Sequence, residues 1–579
     1  MKQCGPQNGT TDNMNLTEAE SAALDAPPAE WKLPCSEMKY IAKVANADGG
    51  HPAYLMKIKG AGEFWKEIEI PVTLTLSATQ LARHLIEHGV ELYSNDAPKH
   101  VADFLRTCHG SKIILRAERD GWIDCGQEPS YIFGKERFSD RIERVIRVEA
   151  NARASAGTLA DWNSLTALCC GNPLMIGALC FAFASALLQL FGRSGVCVSL
   201  VGSSSTGKST ILRFLQALTG SPEYLANWEA TANGLEAYAA QHKDLPLIID
   251  ELGQSDVVSF GQSVYRLTNG SGKLRAKTNG GLADQAQLST VIISAGEESP
   301  ADRIRRSGQQ AVAGQLARFI TLPVNGQHGA FDDLHGESNG AAFSALVRSK
   351  LREVHGIAWR SFAQYVAANI PAVRRTHEEY YPGLKANIRE GCNLDAADGV
   401  QERVLEHFAF AAFSAFVAIN AGVLGITYGE VVDAMRRCFA DALKQYQADS
   451  RTPEDEIAEE VRDLVLKHRN RLPPYSAFCD ADRDTQIGFT HTVNGIDMVL
   501  LLPPAMRKVN EKYGKKAVKN ALIRKGLLIP GQQGRPTSQY VVAGHPNLKR
   551  KRVASVVLTT GSDVQAWSRS CSATTHGMS

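Results

Sequence analysis

The segment GVCVSLVGSSSTGKSTILRFLQAL, residues 195–218, constrains the fold more than any other part of the chain. A β-rich run leads into a glycine-containing turn and then into an amphipathic helix, and the turn has the spacing G-x-x-x-x-G-K-[ST]. Glycines let the backbone curl with no Cβ in the way, while N–H groups of the turn and of the helix start point at an anion. The pattern predicts a phosphate-binding loop made of Gly202, Ser203, Ser204, Ser205, Thr206, Gly207, Lys208, Ser209 and Thr210.

Two further features indicate that the bound phosphate belongs to ATP with Mg²⁺. In such a loop the lysine, here Lys208, reaches the β- and γ-phosphates, and the Ser209 hydroxyl is a metal ligand. About forty residues later, LPLIIDELGQ reads as a short apolar strand that ends in an acidic pair. We expect Asp250 to hold Mg²⁺ and Glu251 to polarise the attacking water. This glutamate favours hydrolysis over phosphate transfer to a second substrate.

A third predicted strand, in QLSTVIISAGEES, is expected to end with Ser294, which would align the attacking water. A fourth, RFITLPV, begins at Arg318. Arg318 is the candidate for an arginine that enters a neighbouring subunit's site and stabilises the γ-phosphate charge, although Arg303, Arg305 and Arg306 are alternatives. A surface salt bridge is an equally good interpretation of each arginine taken alone.

At 579 residues the chain is too long for one ordinary domain. We expect an α/β protein with a P-loop core, namely a largely parallel central sheet with flanking helices. The predicted segments are a disordered tail (1–29), an N-terminal α+β domain (30–150), the P-loop core (151–345), a helical region (346–470), a basic winged-helix-like module (471–555) and a flexible tail (556–579).

The net charge of +2 hides two basic clusters. A glycine-bracketed loop carries Lys273, Arg275 and Lys277, and it has the composition of a loop that grips a phosphate backbone. Residues 507–552 contain thirteen Lys or Arg against one acid. Their predicted order of helix, strand, turn and strand is that of a winged helix. The predicted DNA contacts there are Lys515, Lys516, Lys519, Arg524, Lys525 and Arg535. A solvated hairpin and a basic surface without a nucleic-acid partner are the alternatives.

An uncharged stretch over residues 162–192 is long enough to be considered as a membrane span. A Gly-Asn-Pro interruption, many small residues and the nucleotide-binding strand that follows favour a buried core helix instead. The N-terminus lacks the apolar core of a secretory signal, and the cysteines have no metal-site spacing. We therefore expect a cytoplasmic protein with no membrane partner.

Several motifs in order resemble a known family, the bacterial and phage P-loop proteins catalogued as "domain of unknown function 927". They are Gly121-Trp122, GNPLMIGALCFAFASALL, GSSSTGKST, WEATANGLEAYA, IIDELGQ, YRLTNGSGKLRA, ISAGEES and AGQLARFITLP, and together they span roughly residues 35–425. Members look like helicase-type ATPases of mobile elements and phages, often joined to a primase and similar to superfamily-3 ring helicases.

The resemblance implies nucleotide contacts at residues 202–210 and at Asp250-Glu251. It also marks Trp228, Asn233, Asn269, Lys273, Arg275, Glu297 and Arg318 as positions of the family pattern, without a role for each.

Together these observations predict an ATP-dependent DNA helicase or translocase that acts in replication of a phage or mobile element. It would form a homo-oligomeric ring, with a hexamer favoured, bind ATP between subunits and hold single-stranded DNA in its pore. No primase motif is visible, so a primase would be a separate protein. The alternative is an NTP-dependent switch that binds DNA or protein without unwinding.

Overall fold

The protein is described by a computed structural model that covers residues 33–46, 50–59, 64–108, 113–124, 129–139, 146–148, 151–229, 231–256, 260–270, 290–307, 313–392, 394, 399–474, 487–493, 496–528, 538–540 and 551–557. The chain divides into two compact units, Met1–Tyr446 and Gln447–Ser579.

The first unit begins with an α+β region. Its elements are β1 (Met38–Asn46), β2 (Ala53–Lys59), β3 (Trp65–Pro71), α1 (Ala78–Glu87), α2 (Ala97–Thr107), β4 (Ile113–Ala117), β5 (Gly121–Ile123), β6 (Ser130–Phe133), β7 (Glu136–Phe138) and β8 (Ile146–Val148). A mixed sheet has the order β3-β2-β1-β4-β8, and β5-β6-β7 form a separate antiparallel sheet. β4 and β5 therefore lie in different sheets.

The small β5-β6-β7 sheet is fastened to the rest of the unit by two buried aromatic residues. The Trp122 backbone N–H donates to Asp244 Oδ2 at 3.1 Å, and its indole N–H donates to the carbonyl of Ala186 at 2.6 Å. The Tyr131 hydroxyl donates to the carbonyl of Asp244 at 2.8 Å. Since Asp244 comes shortly before a central strand of the next region, these contacts bind that strand's start to the small sheet.

The next region contains the predicted parallel sheet. Its elements are α3 (Leu159–Thr166), α4 (Pro173–Leu187), β9 (Val196–Val201), α5 (Lys208–Thr219), β10 (Ala226–Asn227), α6 (Ala232–Gln241), β11 (Leu247–Asp250), α7 (Phe260–Thr268), β12 (Val291–Gly296), α8 (Pro300–Arg306), α9 (Ala313–Leu316) and β13 (Phe319–Pro323). All five strands are parallel, in the order β10-β11-β12-β9-β13. β10, β11 and β12 lie on one side of β9, and β13 lies on the other side. β9 is therefore next to a topological switch point, where open α/β sheets bind ligands at the carboxyl ends of their strands.

Helix α4 is the uncharged segment that resembled a membrane span, and it is buried in the protein core. Every residue from Met175 to Leu187 is buried. It packs against one of the helices that complete the unit, which are α10 (Gly340–Glu353), α11 (Ile357–Ala368), α12 (Ile370–Arg389), α13 (Gly399–Asn420) and α14 (Tyr428–Asp449). The rings of Phe181 on α4 and Phe408 on α13 meet edge to face at 5.1 Å. Within the described part of the chain, no helix is both long and apolar enough to cross a membrane.

The second unit has the elements α15 (Pro453–Lys467), β14 (Gly488–Val493), β15 (Ile496–Leu501), α16 (Arg507–Tyr513), α17 (Lys515–Arg524), β16 (Ser538–Tyr540) and β17 (Lys551–Val557). Its antiparallel sheet has the order β14-β15-β17-β16. Ile457 and Val461 of α15 share a hydrophobic cluster with Val518 and Leu522 of α17. This helix therefore belongs with the C-terminal unit, whereas the sequence placed it in the helical region that ends at residue 470.

Candidate nucleotide site

The predicted phosphate-binding loop lies between β9 and α5, at the carboxyl edge of the parallel sheet. Gly207 has a φ of +99°, a conformation that glycine adopts without strain, and α5 begins at the next residue. The Lys208 ammonium donates to the carbonyls of Gly202 and Ser203 at 2.8 and 2.6 Å. The Lys208 side chain thus folds over its own loop, and a bound phosphate oxygen would replace these carbonyls as the hydrogen-bond partner of its ammonium. The Ser209 side chain, the expected metal ligand, is exposed at the start of the helix.

A segment after β13 supports this loop, and sequence reasoning missed it. The Ala330 N–H donates to the carbonyl of Thr206 at 2.8 Å. The Phe331 ring lies so close to Gly207 that a Cβ there would come within 2.6 Å of it. These contacts come from a tight turn in which Gly326 and Gly329 form a β-bridge. In the sequence, only the two glycines of NGQHGAF indicated this turn.

The predicted acidic pair lies at the end of β11. Asp250 is the last residue of the strand and is half-buried, while Glu251 follows with a φ of +58° and is exposed. Asp250 Oδ1 accepts a hydrogen bond from the Glu251 N–H at 2.9 Å, and Glu251 Oε2 accepts one from the Gln254 amide. A non-glycine residue in this left-handed conformation is uncommon.

A third carboxylate, Glu297, follows the end of β12, the strand between β9 and β11. Burial lowers the pKa of Lys208, and the negative charges of Glu297 and Asp250 oppose that shift. β9, β11 and β12 are parallel neighbours, so Lys208 after β9, Asp250 at the end of β11 and Glu297 after β12 lie at the same edge of the sheet. Carboxylate and hydroxyl oxygens are the ligands that Mg²⁺ prefers, so Asp250 and Ser209 have the right chemistry for the metal.

Ser294 does not have the position that the sequence predicts. β12 continues to Gly296, so Ser294 lies inside the strand, opposite Ile249 of β11. Its side chain is fully buried, and its hydroxyl accepts a hydrogen bond from the Trp228 indole N–H at 2.7 Å. The expectation of direct contact with a water molecule is therefore wrong, because Ser294 faces the protein core.

Arg318 lies at the opposite end of the sheet from its own phosphate-binding loop. Its carbonyl accepts a hydrogen bond from the N–H of Cys197, near the start of β9, and Cys197 is roughly 13 Å along the strand from Val201. Its guanidinium lies over the Tyr265 ring at 5.2 Å. Arg318 cannot act in its own site, and only a role in a neighbouring subunit remains as a prediction.

The alternative arginines on α8 are ion-paired. Arg303 is buried and pairs with Glu298 at 3.0 Å, and Arg306 pairs with the same carboxylate at 2.9 Å. Arg305 pairs with Asp302 at 3.0 Å. Each of these three arginines therefore forms a salt bridge, which is the alternative interpretation that the sequence left open.

The predicted DNA contacts have different positions. Lys273, Arg275, Lys277 and Arg535 lie outside the described residues. Lys515 and Lys516 are exposed on α17, and Lys519 is half-buried on the same helix. Arg524 pairs with Glu454 of α15 at 3.0 Å, and Lys525 pairs with Asp455. These two cations are thus partly neutralised within their own unit.

Residues 15–287 match the family model described as "Domain of unknown function (DUF927)", which ends short of the expected residue 425. No curated protein sequence matches the chain. The solved structure titled "SCCmec type IV Cch - active helicase" is similar, with 16% identity, a TM-score of 0.60, and coverage of 94% of this chain and 97% of that one. The apo C-terminal region of NrS-1 has 10% identity, a TM-score of 0.31, and coverage of 89% and 95%. The first likeness shows a shared fold over most of both chains.

Proposed function

We propose that this chain, whose residues 15–287 match the DUF927 family model, is an ATP-dependent DNA helicase or translocase of a phage or mobile element. The observation that carries the proposal is the position of Lys208, Asp250 and Glu297 at the carboxyl ends of adjacent parallel strands. A lysine at a helix start with carboxylates on neighbouring strands is an arrangement suited to phosphate and Mg²⁺.

The residues of the site have separable tasks in this proposal. The N–H groups of the loop from Gly202 to Gly207 bind phosphate oxygens, and Lys208 exchanges its two carbonyl partners for them. Mg²⁺, when bound, would neutralise charge on the transferred phosphate. Ser209 and Asp250 would hold the metal. Glu251, exposed and one residue beyond Asp250, would accept a proton from the attacking water.

The proposal extends to an assembly. A homo-oligomeric ring, with a hexamer favoured, would place ATP between subunits, and Arg318 would enter the site of a neighbour. Arg318 lies far from its own phosphate-binding loop, and a residue that acts on a neighbouring subunit must lie away from its own site. Single-stranded DNA would pass the basic loop that carries Lys273, Arg275 and Lys277, with a primase as a separate partner in the cytoplasm.

Site-directed variants test the nucleotide site. We expect Lys208→Ala and Glu251→Gln to abolish ATP turnover, while Glu251→Gln still binds Mg-ATP because only the proton acceptor is removed. Lys99→Ala and Glu87→Gln are matched controls, since both residues are exposed and lie in the N-terminal region. Turnover that survives both site substitutions would exclude this assignment.

A second candidate function is an NTP-dependent switch that binds DNA or protein without unwinding. The hydrogen bonds of both reactive residues favour this second function. Lys208 donates to its own loop, and Glu251 accepts a hydrogen bond from Gln254, so each must lose a partner before it can act on ATP. A switch would hydrolyse ATP slowly, and DNA would not accelerate it. ATPase rates with and without single-stranded DNA, strand-separation assays and native mass decide between the two. A hexamer stimulated by DNA supports the translocase.

A further inference from the structure

A basic groove lies between the P-loop helix α5 and helix α10, on residues that the nucleotide site does not use. Its cavity has a volume of about 370 Å³. α10 contributes Ala345, Arg348, Ser349 and Arg352, whose spacing of i, i+3, i+4 and i+7 places them on one face of the helix. The other wall is formed by Arg213 of α5 and by Pro222 and Glu223, which follow that helix.

The groove carries more positive than negative charge. Arg213 donates to the backbone carbonyls of Pro222 and Glu223 at 3.0 and 3.3 Å, so these bonds hold its guanidinium without neutralising it. Arg352 pairs with Glu223 at 3.1 Å across the groove, and both side chains are at least half exposed. Arg348 has no carboxylate partner among the described residues. The groove lining thus holds three guanidinium groups and one carboxylate.

The spacing of two of these arginines is unfavourable without an anion. Arg348 and Arg352 are four residues apart on one helix face, where like charges destabilise a helix by a few tenths of a kcal/mol. A bound phosphate between the two guanidinium groups converts that repulsion into two charge-assisted contacts. The groove therefore has the charge pattern of a site for a phosphate-bearing ligand.

An exposed aromatic residue directly follows the groove wall in the chain. Tyr224 follows Glu223 and is 82% exposed, which makes it one of the most exposed large hydrophobic residues of the described part of the chain. The bonds from Arg213 to the preceding carbonyls hold the segment on which Tyr224 lies. An aromatic ring next to a basic groove is the combination that binds unpaired nucleic-acid bases by stacking while cations contact the backbone.

We propose that this groove is a second binding site for single-stranded nucleic acid, distinct from the predicted basic loop and from α17. Arg348 and Arg352 contact the phosphodiester backbone, Arg213 adds positive charge to the wall, and Tyr224 stacks on a base. Single strands fit better than a duplex because stacking on Tyr224 requires a base that is free of its neighbours. The inference deepens the proposed function, since it assigns part of the DNA path of the same ATPase.

The position of the groove gives it a direct connection to the nucleotide site. α5 begins with Lys208 and reaches Arg213 five residues later, roughly 7.5 Å along the helix axis. The same helix therefore carries the predicted phosphate contacts at its start and one groove residue, Arg213, near its middle. A shift of α5 on binding or release of nucleotide would move one wall of the groove relative to α10.

The test is equilibrium binding of a fluorescein-labelled oligothymidylate to the full-length protein without nucleotide, followed by fluorescence anisotropy. We expect Arg348→Ala and Tyr224→Ala each to weaken binding about tenfold, whereas Tyr224→Phe retains binding because the ring still stacks. Arg348→Ala should also reduce the salt dependence of binding by about 0.7 in the slope of log K against log salt. Lys350→Ala is the matched control, since Lys350 is exposed on α10 but lies outside the groove.

Three results would overturn the inference. One is unchanged oligothymidylate binding by both alanine variants. Another is equal competition by duplex DNA with no effect of Tyr224→Ala. The third is a lower native mass for Arg348→Glu with unchanged DNA binding, which would make the groove a contact between copies of the chain. Circular dichroism identifies a variant that has failed to fold, and Arg348→Gln, which removes the charge but keeps a long polar side chain, then replaces Arg348→Ala.

ATP hydrolysis measured without DNA separates this inference from the proposed function. A wild-type protein that hydrolyses no ATP but loses oligothymidylate binding on Arg348→Ala excludes the ATPase and retains the groove. A wild-type protein that hydrolyses ATP, with groove variants that bind like it, excludes the groove and retains the ATPase.

Discussion

The buried hydrogen bond between Trp228 and Ser294 gives the sharpest stability prediction. Both residues are almost fully buried, and the bond from indole N–H to hydroxyl is 2.7 Å long. Ser294→Ala removes the acceptor and leaves the N–H without a partner in the core. Such an orphaned donor costs about 1–3 kcal/mol of the free energy of unfolding, so we expect a loss of about 2 kcal/mol.

A matched serine separates the hydrogen bond from the loss of a hydroxyl in itself. Ser185 is also fully buried, but its hydroxyl donates to the Ala182 carbonyl within its own helix, so Ser185→Ala leaves no unpaired N–H. We expect that control to cost less than about 0.5 kcal/mol, partly because alanine favours the helix. Urea denaturation followed by circular dichroism measures both variants. Equal losses for the two serines would refute the assignment.

A double-mutant cycle adds an independent check. Trp228→Phe loses the donor and some packing volume, and we expect it to cost about 3 kcal/mol. Once the indole N–H is gone, Ser294→Ala should cost much less than it does alone, which gives a coupling of about 1 kcal/mol. Additive losses would mean that the two side chains do not interact.

The same bond should matter for turnover. Ala226 and Asn227 pair with one side of β11 and Ser294 pairs with the other, so the Trp228–Ser294 bond spans the strand just before Asp250. If the proposed function is right, Ser294→Ala lowers kcat about tenfold with little change in the KM for Mg-ATP, because a small displacement of catalytic groups costs rate more than binding. A change in KM alone would contradict a positioning role.

Three further predictions follow from single contacts. Gly207→Ala should weaken Mg-ATP binding, measured by calorimetry, because the new Cβ would come within 2.6 Å of the Phe331 ring at a φ of +99°. Asp244→Asn should reduce the pH dependence of stability. Burial raises the pKa of Asp244 to about 7, so the wild-type protein loses up to about 1.4 kcal/mol of stability per pH unit as the pH rises from about 4 to 7. Urea denaturation at pH 5 and at pH 8 should therefore show a smaller difference in stability for the variant than for the wild type. Glu454→Gln should raise DNA affinity slightly, less than tenfold by fluorescence anisotropy, because the exposed pair with Arg524 contributes only about 0.2–1 kcal/mol.

Sequence reasoning correctly predicted the local secondary structure around the candidate site. The glycine turn, Lys208 and the helix that begins there lie within one strand–turn–helix unit. Such a unit can be predicted because its physical requirements concern residues that are consecutive in the sequence. The position of the acidic pair at a strand end was predicted for the same reason, since the apolar strand β11 ends at Asp250. The parallel α/β sheet followed from the alternation of apolar strands with amphipathic helices.

The errors concern contacts between distant segments. Ser294 was predicted to end its strand and align the attacking water, but pairing with β9 and β11 extends β12 to Gly296, and the hydroxyl is buried against Trp228. The connection from Gly121 and Trp122 to Asp244 joins residues more than a hundred positions apart. No periodicity within a segment contains that information, because it depends on which surfaces the sheet order brings together.

The charge distribution illustrates the same limit for the nucleic-acid interface. Thirteen cations against one acid in residues 507–552 suggested a strongly positive module, but the acidic helix α15 packs against it in the same unit. Glu460 pairs with Lys512 at 2.8 Å, Glu454 with Arg524 and Asp455 with Lys525. The field available to DNA on that face is therefore weaker than the residue count implies, whereas the groove between α5 and α10 holds three arginines against one carboxylate. Charge that is not neutralised by its neighbours, rather than the density of basic residues along the chain, should decide where a phosphate backbone binds.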